Sequence, residues 1–185
     1  GVKNMRLKTA TYTQYFKLYS DIYKGFVEEK LSLTQITNEQ ETLYRRMFED
    51  VETKEKKCLA QPVFSIGYIP ASKYYQIEAM KQENRLFEKE GEQIKRVLSF
   101  EKYFLNQLET KRMIIKYGVR GFAGLKGDDN IHDIECKKEK IIIDNFEYEL
   151  LTDDIVSLLL NQSFILYLPE FVMTFQSLSD EEKKS

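Results

Sequence analysis

Residues Lys140–Leu160, KIIIDNFEYELLTDDIVSLLL, decide the fold class. Lys140–Ile143 and Phe146–Leu151 flank Asp144–Asn145, a pair that suits a two-residue hairpin turn, though less well than Asn-Gly. Thr152 with Asp153 and Asp154 then supplies the oxygen-bearing side chains that favour a helix start, and apolar spacing carries a short helix through Leu160. A hairpin feeding a helix, behind an N-terminal part that reads as helical, predicts an α+β chain. Its expected layout is an N-terminal helical hairpin and a long, broken helix, followed by a small antiparallel or mixed sheet with two short helices.

Upstream of the hairpin, Ile131–Cys136 alternates as a strand would, and Met113–Ile115 reads as another strand. Further back, Ile77, Met80, Phe87, Ile94, Leu98, Leu105 and Leu108 recur near a heptad, with Asn84 and Gly91 in the seam. That spacing predicts one long helix, capped by Ser72 and kinked or broken near Gly91. Val63–Ile69, between Pro62 and Pro70, suits a short strand or an extended linker. Tyr12, Tyr15, Phe16, Tyr19, Ile22, Tyr23, Phe26 and Val27 predict an amphipathic helix over residues 11–30, paired with a second over 37–59. Downstream, Phe164–Leu168 reads as a last strand and Pro169 as the opening of a helix bearing Phe171, Val172, Phe175 and Leu178. The expected units are therefore a helical hairpin over 5–60, a strand and long helix over 61–112, a small α+β part over 113–178 and a frayed tail over 179–185. Gly1–Asn4, ahead of Met5, are set aside as preceding the natural start.

Composition bounds the partners. With 28 basic and 30 acidic residues the formal charge is -2, so no global basic field draws in nucleic acid, although a local patch leaves such a partner open. Cys58 and Cys136 stand far apart without metal-ligand spacing, which signals neither a disulfide framework nor a zinc site and suits a reducing cytoplasm. No apolar run approaches the roughly 20 residues of a membrane span, and no secretory signal is evident. Abundant lysine, tyrosine and phenylalanine without tryptophan point to an AT-rich coding sequence, hence to a low-GC bacterium or its phage.

Half of the eight glycines, Gly118, Gly121, Gly124 and Gly127, fall at intervals of three in one segment. Glycine permits positive φ and close approach of a ligand, so this segment, with Arg120 and Lys126, is the expected partner-binding surface, its amides able to cradle a phosphate or a partner's main chain. It matches neither the dinucleotide fingerprint nor the P-loop, and no cofactor is expected. Asp128, Asp129, His132, Asp133 and Glu135 follow directly.

Within that acidic stretch, Ile134-Glu135-Cys136-Lys137 resembles the Glu-x-Lys strand of the PD-(D/E)xK nuclease superfamily. The resemblance implies that Asp128 or Asp129 with Glu135 would hold Mg²⁺ while Lys137 helps to activate water. No Pro-Asp pair precedes these acids. His132 is the only histidine and has no nucleophile tied to it by a motif. The tyrosines of residues 12–23 read first as core and second as interface.

The function expected from these residues is binding without catalysis. A regulator or inhibitor, phage-encoded and directed at a host protein of transcription, replication or defence, fits best; it would be a monomer or weak dimer. A Mg²⁺-dependent nuclease is the first alternative and a nucleic-acid-binding regulator the second.

Overall fold

A computed structural model of the chain describes residues 9–18, 26–32, 63–127, 132–162 and 168–182. The described residues form an α+β fold of helices and small antiparallel sheets. Strands β1 (Thr13–Leu18), β2 (Phe26–Ser32), β3 (Val63–Gly67) and β6 (Val119–Ala123) make one antiparallel sheet in the order β2-β1-β3-β6. Between β3 and β6 the chain forms helix α1 (Ala71–Glu83), the hairpin β4 (Phe87–Glu90) and β5 (Gln93–Arg96), and helix α2 (Phe100–Gly118). The hairpin β7 (Lys138–Ile143) and β8 (Phe146–Leu151) follows, and then helices α3 (Asp153–Leu160) and α4 (Leu168–Glu182).

β3 is the anchor of the sheet. Phe64, Ser65 and Ile66 are all buried, so both faces of this strand are covered, and its neighbours β1 and β6 supply its hydrogen bonds. Past its end, Gln176 from α4 stands in for a further strand: its Oε1 accepts from the Ile69 amide at 3.0 Å and its Nε2 donates to the Gly67 carbonyl at 3.0 Å. A buried backbone leaving a sheet needs such partners.

Helix α2 is two different surfaces. Ser99 caps it, accepting from the Lys102 amide at 3.1 Å. Its C-terminal half buries Met113, Ile114 and Ile115 in a core shared with Phe64, Ile66, Leu159 and Val172, whereas Phe100, Phe104, Leu105 and Leu108 in its first half are exposed. Gly118 ends the helix, and a Cβ there would fall on the Val172 side chain, so α4 packs directly on this backbone.

Several expectations are corrected. Residues 13–18 and 26–32 are strands, where a helix over 11–30 is expected; Thr13, Tyr15, Phe16, Phe26 and Val27 are β-branched or aromatic, and pairing of β1 with the buried β3, and of β2 with β1, overrides their 3.6-residue spacing. The second helix expected over 37–59 lies outside the described residues. The long helix is interrupted by a β-hairpin, with Gly91 at φ 63° in its turn, and not by a kink. Pro70, not Ser72, stands at the N-cap of α1. Met113–Ile115 belongs to α2, because a short apolar run in a buried helix segment looks like a strand in sequence alone. The expected boundary between Arg112 and Met113 therefore falls inside a helix.

Ile131–Cys136 yields one isolated bridge, Lys126 with Asp133, among its described residues, and no strand. Phe164–Tyr167 lies outside the described residues, and Leu168 opens α4 together with Pro169. The predicted β7–β8 hairpin and the helix after Thr152 are present, and Asp144 and Asn145 have φ 53° and 66°, the two positive values a tight primed turn requires.

Candidate functional site

The glycine-rich segment is not a surface loop along its first half. Gly118 is buried at the end of α2, Arg120 and Gly121 are buried in β6, and Gly124 follows the strand at φ 79°. The segment then closes on itself: the Ile134 amide donates to the Leu125 carbonyl at 2.8 Å, the Gly127 amide to the His132 carbonyl at 2.9 Å, and Lys126 Nζ pairs with Asp133 at 2.5 Å. The glycines thus serve close packing as well as turning.

The nuclease residues do not assemble among the described residues. Asp128 and Asp129 lie outside them, Glu135 and Lys137 are exposed, and Cys136 between them is half-buried, its thiol pushed up by burial. Among the described residues no group of three or more His, Cys, Asp or Glu gathers at ion-holding distance.

Arg120 is the unusual member of the segment. Ser65 pairs with Gly121 and Ile66 with Val119, so Arg120 is the extra residue of a β-bulge, a device that re-aims a side chain. Its guanidinium runs over Gly67, where a Cβ would strike it, donates through Nη2 to the Tyr68 carbonyl, and lies 5.1 Å from the Tyr148 ring centroid. Nε and Nη1 are shielded from solvent and have no hydrogen-bond partner among the described residues. Burial pulls the Arg120 pKa down to about 10, against a smaller raising effect of Tyr148. Beside it a cavity of about 440 Å³ is lined by Thr11, Thr13, Ser65, Lys138, Lys140, Glu147 and Glu149.

A second feature lies at the N-terminal end of α2. In the β4–β5 hairpin Phe87 faces Arg96 and Lys89 faces Ile94, which puts Phe87 and Ile94 on one face. Arg96 then bridges hairpin and helix, its guanidinium 5.9 Å from the Phe87 ring and 4.3 Å from the Phe100 ring. Phe100, Phe104 and Leu108 continue the stripe at helical spacing. Ile94, Phe104 and Leu105 are 74%, 58% and 57% exposed. The base of this arm is fixed: Asn84 Nδ2 donates to the Tyr103 carbonyl at 3.0 Å and its Oδ1 accepts from Asn106 at 3.2 Å. Nearby a groove of about 720 Å³ runs between α1, α2 and α4, past Tyr74, Glu78, Tyr103, Lys111 and Met173.

The near-heptad spacing of Phe87, Ile94, Leu105 and Leu108 predicts a helical seam, whereas these side chains stand in solvent on this surface. The available signal was the polar Asn84 and Gly91 in the same register, which no continuous seam tolerates well. No protein-family model, curated protein or solved structure matches this chain. Among the described residues no helix is long and apolar enough to cross a membrane.

Proposed function

We propose that this chain is a non-enzymatic binding protein, a regulator or inhibitor whose partner is another protein. The observation that carries the reading is the exposed apolar face formed by Phe87, Ile94, Phe100, Phe104, Leu105 and Leu108. Contiguous apolar surface of this kind is costly in water and marks interaction sites. Aromatic anchors with an arginine among them, beside the exposed Lys89, Glu101 and Lys102, have the composition of an interface centre and its rim. The mechanism is steric: a preformed face, held by the Asn84 network, covers a partner's working surface. A composition rich in lysine, tyrosine and phenylalanine and free of tryptophan, as an AT-rich coding sequence gives, suits a phage origin and a host target in transcription, replication or defence.

Capture from a low-GC bacterial lysate with the native protein and with a Phe104→Ser, Leu108→Ser variant tests it. Both side chains are exposed, so folding is retained, and loss of two central anchors removes about 2 kcal/mol or more, roughly 30-fold in affinity. Identical captures by both baits contradict the reading. The Mg²⁺-dependent nuclease remains the competing proposal; cleavage of plasmid, single-stranded DNA or RNA that disappears in Glu135→Ala would establish it instead.

A further inference from the structure

We propose that the cavity beside Arg120 is a binding site for a phosphate group, separate from the apolar face. A guanidinium with Nε and Nη1 both shielded and unpartnered is rare in a folded interior, because each missing hydrogen bond carries a desolvation cost. Two features of the chain keep it there. The bulge in β6 turns Arg120 out of the regular strand alternation, and the absence of a side chain at Gly67 leaves room for it. The fold therefore accommodates a cation with part of its hydrogen-bonding capacity unused at one defined place, next to a polar cavity.

The cavity supplies the rest of an oxyanion's coordination. Thr13 and Ser65, both buried, bring hydroxyls, and Lys138 and Lys140 bring ammonium groups that form no ion pair among the described residues. The Lys138 ammonium lies 3.3 Å from where a Gly121 Cβ would stand, folded over the strand beside Arg120. Because Nε and Nη1 are shielded, binding requires a lining side chain to move, and the exposed, flexible Lys138 is free to do so. Three cations face two carboxylates, Glu147 and Glu149, so the lining is net positive. A tetrahedral oxyanion uses guanidinium, ammonium and hydroxyl donors together, whereas a carboxylate offers only two oxygens. Arginine is the side chain best matched to phosphate geometry.

The test is titration of the intact protein with inorganic phosphate at constant ionic strength, followed by the thermal midpoint and by the Arg120 Nε–H NMR resonance. A nucleoside monophosphate and acetate serve as parallel probes. The site predicts a saturable rise in midpoint, a shifted Nε–H resonance, and affinity at least about tenfold weaker in the exposed Lys138→Gln variant. Arg120→Met should not respond to phosphate. Tighter binding of the monophosphate than of free phosphate assigns the phosphate to a nucleotide, and the reverse assigns a free ion. Phosphate stabilisation that persists in Arg120→Met is a general salt effect and overturns the proposal, as does an unmoved Nε–H resonance or an equal response to acetate.

Discussion

The carboxylate of Asp144, at the tip of the β7–β8 turn, accepts the Ser72 backbone amide at 3.0 Å and so caps helix α1 from 72 residues away. Pro70 stands at the N-cap but offers no side-chain acceptor, which leaves the first amides of the helix to an outside partner. The same residue thus closes the hairpin, with φ 53°, and ties it to the helix that carries the β4–β5 arm.

That bond makes the joint acid-sensitive. The Ser72 amide and hydroxyl hold the Asp144 carboxyl below its ordinary value of 3.8. A depressed acid contributes its stability above the unfolded value and loses it as pH falls through the folded one. The protection of the Ser72 amide, its exchange rate relative to that of an unstructured amide at the same pH, should therefore fall below pH 4 in the native protein and be low at every pH in Asp144→Gly, which keeps the turn but not the cap.

Lys116 is the polar rivet between α2 and the C-terminal half. Its ammonium donates to Glu139 at 2.6 Å, to Asp153 at 3.0 Å and to the Leu151 carbonyl at 2.6 Å. Burial alone would lower its pKa, but the Glu139 and Asp153 carboxylates outweigh it and hold the pKa above 10.5. A raised base stabilises fully below its unfolded value and loses that contribution as pH climbs through the folded one, so the loss falls in the alkaline range. Lys116→Met should cost about 2 kcal/mol in denaturant unfolding at neutral pH, since the exposed carboxylates regain water while the buried carbonyl does not.

Gly118 and Val172 should couple. A Cβ at Gly118 meets Val172, so Gly118→Ala overpacks the α2–α4 contact and should cost about 1–3 kcal/mol. Val172→Ala removes the obstruction, and the double variant should be less destabilised than the sum of the two single changes. Additive losses would place the Gly118 effect elsewhere.

Legibility in the sequence followed how local each element is. The β7–β8 hairpin, α3 and the start of α4 announce themselves through Asp144–Asn145, Thr152 and Pro169, because turn and cap chemistry is set within a few residues. β1 and β2 do not, since the strand state of β1 depends on pairing with β3 some fifty residues away, and β2 pairs in turn with β1. Met113–Ile115 was ambiguous because helix and strand burial leave the same apolar run. At the candidate sites, Arg120 was legible as a residue of interest but not as a buried one: only the register of β3 against β6 reveals the bulge. The apolar arm was hidden by its own regularity, as Phe87, Ile94 and Leu105 carry the spacing of a buried seam while standing in solvent.

The proposed function requires that the face around Phe104 meet a protein. A photocrosslinking amino acid placed at Phe104, with one at the exposed Ile142 as control, addresses it directly in a low-GC bacterial lysate. One discrete protein adduct is expected from position 104 and none from position 142. No adduct from position 104, or the same adducts from both positions, would contradict it; an adduct with a second copy of the chain would replace the foreign partner by self-association.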